Sequence, residues 1–477
     1  MKTYKIISIC LLLLFNKLVY TQGVSINENG DSPDNSAILD VKSTSKGLLF
    51  PRLSNTQMFG IQNPAEGLQV YNTTVKSMCF YDGTNWKNLA DNSTVSPPAI
   101  SHPFPNHTTY TSGHIKPNNF TQSQLDQQTR TFYDSWKAEY LKNDCGGGLY
   151  YISSGSPHMT VSEAHGYGMM IMVIMAGYDT NAQTYFDGLC NYYDAHRSSI
   201  NNDLMSWQQD NCSDPTHNDD AATDGDIDIA FALLTANAQW GSSGSINYLQ
   251  KANTIIDAIK DDEIDDTDWH IKLGDWEGSS DHNTRTSDFI PDHFRAFQAA
   301  TGDNNWNNII DKCYDLIDDM QTNFSPSTGL LPDFISHLDG TPQPAAPDFL
   351  EGPHDGHYYY NACRDPWRIA SDYLLNGENR AKNSVNKITN WLKTDCNNDI
   401  SDISNGYKLD GTKIYTWNDP AFIAPFAVGA MVDATHQTWL NDLYTEIESS
   451  SVNDYDYFEN TLKLLSMIVI SGNYWKP

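Results

Sequence analysis

An almost wholly apolar stretch, residues 162–177, constrains the fold of this chain more than any other segment. It reads Ser-Glu-Ala-His-Gly-Tyr-Gly-Met-Met and continues Ile-Met-Val-Ile-Met-Ala-Gly. Ser162 stands where a helix N-cap belongs, and Glu163 follows in the first turn. Because no polar face interrupts the next turns, the segment predicts a helix buried on all sides in the middle of a large domain.

Glu163 begins this predicted helix beside Tyr167 and two glycines that allow a ligand or another segment to come close. A first-turn acid can simply stabilise the helix dipole. A second segment, 219–234, repeats the plan, because its aspartates, Asp224 among them, precede another apolar helix. Two buried helices with acidic starts suggest carboxylates gathered at one end of a helical barrel, the arrangement that two-carboxylate glycoside chemistry requires.

The composition limits the classes of partner. The chain carries 60 acidic against 29 basic residues, a formal net charge of −31. Nucleic acids and anionic membrane surfaces would be repelled, whereas a cationic substrate would be attracted. The 12 Trp and 26 Tyr residues suit stacking against sugar rings, although both are also ordinary packing residues.

Residues 1–22 have the features of a secretory signal. Lys2 and Lys5 precede an apolar run over 6–15 that is too short to span a bilayer. No later stretch is long and apolar enough to do so, and we expect a secreted protein without a membrane span. Seven cysteines follow the signal without any C-x-x-C pair. This spacing predicts one or two disulfides and no metal site.

The remaining chain divides into segments with different patterns of apolar residues and turn signals. Residues 23–90 alternate short apolar runs with turn signals, which predicts a small β-rich module, and 91–101 contain a linker with two consecutive prolines. Residues 102–477 are helical in pattern. The candidate helices are 123–142, 162–177, 183–196, 226–240, 245–262, 288–300, 306–322, 361–376, 379–394, 419–434, 437–449 and 456–471.

Twelve such helices make six hairpins, which predict an all-α (α/α)6 barrel that follows the β-rich module in the sequence. The inner helices of the ring should be the most apolar, and each should begin beside a polar, aromatic-rich loop. By this criterion the inner set includes the helices that start at Ser162, Asp226, Asp288, Asn361 and Asp419.

Several motifs resemble glycoside hydrolase family 8. Residues 162–169 are similar to its Ser-Glu-x-x-Gly-Tyr-Gly-Met block, and 222–230 with Trp240 are similar to its signature. Residues 204–207, 285–289 and 362–370 follow in the family's order. The resemblance covers 102–477 and implies inverting, endo-acting hydrolysis of cellulose, xylan, mixed-linkage β-glucan or chitosan on an (α/α)6 barrel. Residues 23–90 resemble a module at the start of secreted proteins of Bacteroidetes-type bacteria.

The resemblance implies roles for two of the carboxylates. Glu163 is similar to the general acid, which must hold its proton near neutral pH. Asp224 is similar to the acid that grips and distorts the sugar at the cleavage point. For Asp226 and Asp228, we expect at least one to cap its own helix.

The catalytic base departs from the commonest family pattern. Many members place it where this chain has Asn361, which cannot take a proton from water. One branch, which includes chitosanases and lichenases, also has Asn there and supplies a Glu from an inserted loop about ten residues earlier. Glu351 has that spacing and is the predicted base. Asp355 is the competing candidate, and Glu351 as a mere solvated loop acid is the alternative.

The predicted substrate-binding residues complete the site. They are Trp207, Trp269, Trp276, Tyr360, Asn361 and Arg364. The aromatic members could instead be core residues, and Arg364 could instead form a buried ion pair with Asp365 or another neighbour.

The sequence therefore predicts a secreted, monomeric inverting endo-chitosanase that needs no cofactor. A lichenase or β-1,4-endoglucanase is the alternative activity. A carbohydrate-binding protein on the same barrel would keep the aromatics and lose a carboxylate. A calcium loop at 224–228 is rejected, because Gly falls second rather than sixth and no Glu stands at position 12.

Overall fold

The computed structural model describes residues 23–61, 63–96, 100–213 and 220–477. The predicted signal at 1–22 lies outside the described residues. Contacts divide the chain into two compact units. One comprises the described residues through Leu53 together with Pro64–Val95, and the other comprises Ser54–Asn63 and Ser96–Pro477.

The first unit consists of two small sheets. Strands β1 (Val24–Ile26) and β2 (Leu39–Val41) pair in parallel. A second sheet has the order β3 (Arg52–Leu53), β4 (Gln69–Asn72), β5 (Ser77–Tyr81) and β6 (Trp86–Asn88). Its buried side chains, Val70, Cys79 and Trp86, give that sheet a small core.

The second unit contains all twelve predicted helices, each end within four residues of its expected position. They are α1 (Gln122–Tyr140), α2 (Ser162–Ile174), α3 (Ala182–Ala195), α4 (Thr223–Trp240), α5 (Tyr248–Ala258), α6 (Pro291–Thr301), α7 (Asn305–Asn323), α8 (Asp365–Asn376), α9 (Asn379–Asp395), α10 (Pro420–Ala430), α11 (Gln437–Ser449) and α12 (Tyr457–Ile470). A one-turn helix, Asn55–Phe59, precedes them, and a π-helical turn, Ile259–Glu263, extends α5.

The even-numbered helices form a closed inner ring. Each packs against the next, from α2 through α4, α6, α8 and α10 to α12, and α12 returns to α2. The odd-numbered helices pack outside as their hairpin partners. This is the expected (α/α)6 barrel. The inner helices α2, α4 and α10 are buried over almost their whole length, which explains their lack of a polar face.

Short strands occur in the barrel's loops. Strand β7 (Leu141–Lys142) pairs with β8 (Tyr151–Ile152), and β9 (Thr160–Val161) pairs with β10 (Gln208–Gln209). Strands β11 (Thr284–Arg285), β12 (Phe334–Ser336) and β13 (Gln343–Pro344) form a three-stranded sheet. Strand β9 runs directly into α2, and β11 is followed by a 3-10 turn, Thr286–Asp288, before α6.

Glycines bring α2 and α4 into unusually close contact. A methyl group on Gly166 would lie 2.6 Å from Cβ of Asp228, and one on Gly225 would lie 2.4 Å from Oγ of Ser162. Any side chain at either position would force the two helices apart. The first turns of both helices, which carry the two predicted catalytic acids, are therefore held side by side.

The prediction that Ser162 is an N-cap was wrong. The N-cap is Val161, which makes no side-chain cap, and Ser162 is the first helical residue. Its N–H donates to the Trp207 carbonyl at 2.8 Å, in continuation of the β9–β10 pairing. Because its side chain faces Gly225, Ser162 serves helix–helix packing instead of capping.

One disulfide joins Cys145 to Cys212, and the five other cysteines of the described residues are buried thiols. This agrees with the expectation of one or two bridges. None of the described helices combines the length and apolarity needed to cross a membrane.

Candidate active site

The predicted catalytic residues meet where the inner helices begin. Glu163 and Asp224 lie in the first turns of α2 and α4. Arg364 ends a 3-10 turn, Ala362–Arg364, that leads into α8. Its Nη1 is 2.7 Å from Glu163 Oε2 and 2.9 Å from Asp224 Oδ2. One guanidinium nitrogen therefore bridges both acids.

Glu163 is held in a state suited to proton donation. Its carboxylate accepts from Arg364 and, at 3.2 Å, from the hydroxyl of Tyr457. Burial raises the pKa of Glu163 to about 7, because desolvation outweighs the opposing Arg364 charge and the neighbouring Asp224 carboxylate adds to the rise. A proton is thus available near neutral pH.

Asp224 is held in the opposite state. Burial disfavours its charge, but the guanidinium groups of Arg285 and Arg364 outweigh burial and keep the pKa of Asp224 below its usual range. Arg285 Nη2 lies 3.0 Å from Asp224 Oδ1. The two neighbouring acids therefore differ in protonation, a pattern found where one carboxyl donates a proton and another stays ionised.

Glu351 is connected to the same centre through Asn361. The Asn361 amide nitrogen donates to Glu351 Oε2 at 2.8 Å, and its carbonyl oxygen accepts from Arg364 Nη2 at 2.8 Å. Arg364 and Asn361 thus form a hydrogen-bonded chain from Glu163 to Glu351. Asn361 holds the Glu351 carboxylate in place.

Asp355 organises the loop that presents Glu351. It is buried, and its Oδ2 accepts the N–H groups of Leu350 and Glu351 at 2.7 and 3.1 Å. Its Oδ1 accepts the N–H of Gly352 at 2.9 Å. Both oxygens are engaged with the backbone, so the geometry favours a positioning role for this competing base candidate.

A cavity of about 410 Å³ opens beside Glu351. Its lining comprises Trp207, Asp220, Ala221, Ala222, Leu273, Trp276, Arg285, Leu350 and Glu351. Two of the predicted stacking residues, Trp207 and Trp276, thus share a cavity with the predicted base. A cleft of indole faces and a few polar groups suits a sugar chain.

The other two aromatic candidates lie elsewhere. Trp269 is partly buried against the main core, with left-handed backbone (φ 67°), and it is not among the residues that line this cavity. Tyr360 packs edge-on against Phe422, and its hydroxyl donates to Asp419 at 3.1 Å. Tyr360 therefore packs against the beginning of α10.

Similarity to known proteins decides the family. The family model described as "Glycosyl hydrolases family 8" matches residues 110–472 of this chain. A β-glucanase of Niallia circulans is 51% identical over 379 residues, 79% of this chain and 92% of that protein. The chain belongs to glycosyl hydrolase family 8. It is a glycoside hydrolase, as the resemblance implied.

Other comparisons agree with the family 8 assignment. An endoglucanase of Bacillus sp. strain KSM-330 is 41% identical, covering 79% of this chain and 82% of that protein. The apo structure of a β-1,3-1,4-glucanase from Paenibacillus sp. X4 superposes with a TM-score of 0.77 at 51% identity, over 80% of this chain and 100% of that one. Residues 25–101 also match a model described as a phage tail like trimerisation region.

The capping prediction for Asp226 and Asp228 was wrong. The N-cap of α4 is Ala222, without a side-chain cap. Asp226 accepts the N–H of Met205 at 2.9 Å, and Asp228 pairs with the Arg368 guanidinium at 2.6 Å. Both aspartates bind neighbouring segments, because α4 is buried on every side and its acidic side chains need partners from other elements.

Three residues that contact the predicted site residues were not assigned a role from the sequence. Arg285 keeps Asp224 ionised, and Tyr457 donates to Glu163. Asp333 accepts the N–H groups of Asn361 and Ala362, at 3.2 and 2.8 Å, and so shapes the turn that carries Asn361. Burial raises the pKa of Asp333 to about 7. Arg285 was visible within the 285–289 motif, whereas no local signal marks the other two.

Proposed function

We propose that this family 8 enzyme hydrolyses mixed-linkage β-1,3-1,4-glucan internally, with inversion at the anomeric carbon. The observation that carries the mechanism is the hydrogen-bonded chain from Glu163 through Arg364 and Asn361 to Glu351. It fixes a protonated acid and a second carboxylate relative to each other beside an aromatic cavity.

In the proposed reaction Glu163 gives its proton to the glycosidic oxygen as the bond to the anomeric carbon breaks. Glu351 takes a proton from a water molecule, whose oxygen attacks that carbon from the opposite face. The two carboxyls exchange protonation states, and the proton returns to Glu163 through solvent. Asp224 stays ionised and binds the distorted sugar. No covalent intermediate forms, and no cofactor is needed.

Two observations support glucan as the substrate in place of chitosan. The β-glucanase and the β-1,3-1,4-glucanase described above are each 51% identical to this chain over most of their length. The prediction of chitosan rests on the Glu351 loop, which chitosanases share with lichenases, and on the acidic composition. In the active site, however, the arginines Arg285 and Arg364 offset the Asp224 charge. A neutral glucan fits such a centre without relying on charge attraction.

Parallel assays should decide the substrate. We expect reducing-sugar release by wild type to be fastest on lichenan or barley β-glucan, slower on carboxymethylcellulose, and slowest on xylan and chitosan. Proton NMR of the first products should show the α-anomer, as inversion requires. Faster hydrolysis of chitosan, with a rate that falls as salt is added, would restore the electrostatic argument for chitosan.

We also propose that the enzyme is exported and assembles as a trimer through residues 23–53, in place of the expected monomer. Export is supported by the signal features of residues 1–22 and by the Cys145–Cys212 bridge, which suits an oxidising compartment. The trimer is supported by the match to the trimerisation model. It is also supported by the burial pattern, since none of the described residues from 23 to 53 is buried.

The surface of this segment is strongly apolar. Its exposed large side chains are Val24, Ile26, Ile38, Leu39, Val41, Leu48 and Leu49, each 40–78% exposed. A short two-strand sheet with such a surface is not stable alone in water. Further copies of the same segment would cover it.

Light scattering on residues 23–477 tests this assembly. We expect a mass three times that of one chain for wild type, and the mass of one chain for an Ile38→Asp, Leu49→Asp variant. The barrel's activity per chain on soluble β-glucan should be equal in both. A wild-type protein that stays monomeric at micromolar concentration would contradict the trimer.

A further inference from the structure

We propose that Tyr415 and Trp417 form an aromatic platform that binds sugar units on the opposite side of the cleavage point from Trp276. The proposal rests on the function proposed above and extends it to the far end of the cleft. Its ligand is the flat apolar face of the β-linked glucose units that lie beyond the cleavage point as seen from Trp276.

Exposure singles out this position. Among the described residues, the exposed large hydrophobic side chains include two aromatic ones, Trp276 at 43% and Trp417 at 50%. Trp276 lines the cavity that contains Glu351. Exposed aromatic groups on the face of a catalytic site are typical of ligand contacts, because their apolar rings can stack against a bound ligand.

The order of the inner helices around the barrel places Trp417 opposite Trp276. The cavity with Trp276 includes Ala221 and Ala222, immediately before α4. Trp417 lies two residues before Asp419, the N-cap of α10. Six helices form the inner ring, and α10 is the third helix along from α4 in either direction. The N-terminal ends of α4 and α10 therefore face each other across the mouth, the end of the barrel that carries Glu163.

The contact between Glu163 and Arg364 lies between these two sides. Helices α2 and α8 are likewise three steps apart in the ring, and Arg364 at the start of α8 contacts Glu163 of α2 across the mouth. A line from Trp276 to Trp417 therefore passes over this contact. A sugar chain laid along that line would present an internal linkage to Glu163, as endo-acting cleavage requires.

The platform is rigid before any ligand arrives. The Trp417 carbonyl accepts the N–H of Asn405 at 2.9 Å. The hydroxyl of Ser404 donates to the Tyr415 carbonyl at 2.8 Å and accepts the Tyr415 N–H at 3.1 Å. Ser404 and Asn405 are fully buried. Little conformational entropy would be lost when a sugar binds to a segment held in this way.

The two rings also form one continuous surface. The Tyr415 and Trp417 ring centroids are 5.2 Å apart with an interplanar angle of 34°. The hydroxyls of Tyr359 and Tyr415 lie 3.1 Å apart, and Tyr359 contacts Tyr360 edge-on. Tyr360 precedes Asn361, which binds Glu351. Contacts among these three tyrosines thus connect the neighbour of Asn361 to Trp417.

The test compares Trp417→Ala with Trp276→Ala and with the conservative Trp417→Phe. On the polymer that wild type hydrolyses fastest, Trp417→Ala should raise KM about fivefold to tenfold and leave kcat within about twofold, since stacking binds ground and transition states alike. Trp417→Phe should restore most of the affinity. With reducing-end-labelled hexasaccharides, the two Trp→Ala variants should shift the preferred cleavage point in opposite directions.

Affinity electrophoresis in a Glu163→Gln background separates this proposal from the substrate assignment. Gels containing β-glucan, carboxymethylcellulose or glycol chitosan report binding without turnover. Preference of wild type for another polymer would overturn the proposed substrate, while the platform would still be tested on that polymer. An unchanged KM and cleavage pattern in Trp417→Ala, or a shift in the same direction as Trp276→Ala, would overturn the platform.

Discussion

Glu163→Gln should lower kcat on β-glucan by about 10²–10⁴-fold, the usual contribution of general acid catalysis. Glutamine keeps the size of the side chain and one of the two oxygens, which can accept from either Arg364 or Tyr457. It has no proton to give to the glycosidic oxygen. Affinity for the polymer should therefore persist while turnover disappears, which kcat and KM measured on the same substrate would separate.

The pH profile provides a second readout of Glu163. Burial raises its pKa to about 7, so the active, protonated form is present below that pH and is lost as pH rises through it. The alkaline limb of kcat/KM for wild type should fall in this window. Removing the Tyr457 hydroxyl with Tyr457→Phe takes away a hydrogen bond that lowers this pKa. The limb should then move to higher pH. An unmoved limb in Tyr457→Phe, together with a Glu163→Gln variant that keeps it, would assign the titration to another group.

Much of this site was predictable because its parts are fixed by local pattern. The apolar stretch 162–177 required a buried helix, and the twelve helical periodicities required six hairpins. The closeness of Glu163 and Asp224 follows once both lie in first turns of neighbouring inner helices. Glycines in both motifs, Gly166 and Gly225, are the local signature of that close packing.

The features that were missed depend on partners distant in sequence. Ser162 does not cap its helix, and its side chain instead packs against Gly225 of α4, where any larger residue would collide with it. Asp228 pairs with Arg368, 140 residues away. Tyr457 reaches Glu163 only because α12 closes the ring against α2. Periodicity and motif spacing describe neighbours along the chain, and they carry no information on which side chain from another helix satisfies a buried acid.

The roles of Glu351 and Asp355 also required the fold. Both are loop acids at a plausible spacing, and sequence alone left them as competitors. In the structure the two carboxylates differ in what their oxygens contact. Asp355 accepts three backbone N–H groups of its own loop, whereas Glu351 lines the cavity and is held by the Asn361 amide.

Glu351→Gln is expected to reduce turnover by about 10²–10⁴-fold while polymer binding survives, because an inverting enzyme has no covalent intermediate that could replace the base. The matched control is Asp355→Asn, which keeps one acceptor oxygen for the loop backbone. If Asp355 only positions the loop, this variant should retain activity within about tenfold of wild type, since a weakened backbone hydrogen bond costs on the order of 1 kcal/mol.

Adding Asn361→Asp to the Glu351→Gln variant returns a carboxylate to the place where many family members have one. We expect recovery of part of the activity. That new acid would lie beside Asp333, whose Oδ2 is 3.4 Å from the Asn361 amide nitrogen. The Asp333 carboxylate would raise the pKa of this new acid, whereas the Arg364 guanidinium, which contacts the same side chain, would lower it, so the recovered activity is measured across the pH range. Activity of Glu351→Gln within about threefold of wild type, with an inactive Asp355→Asn, would instead make Asp355 the base.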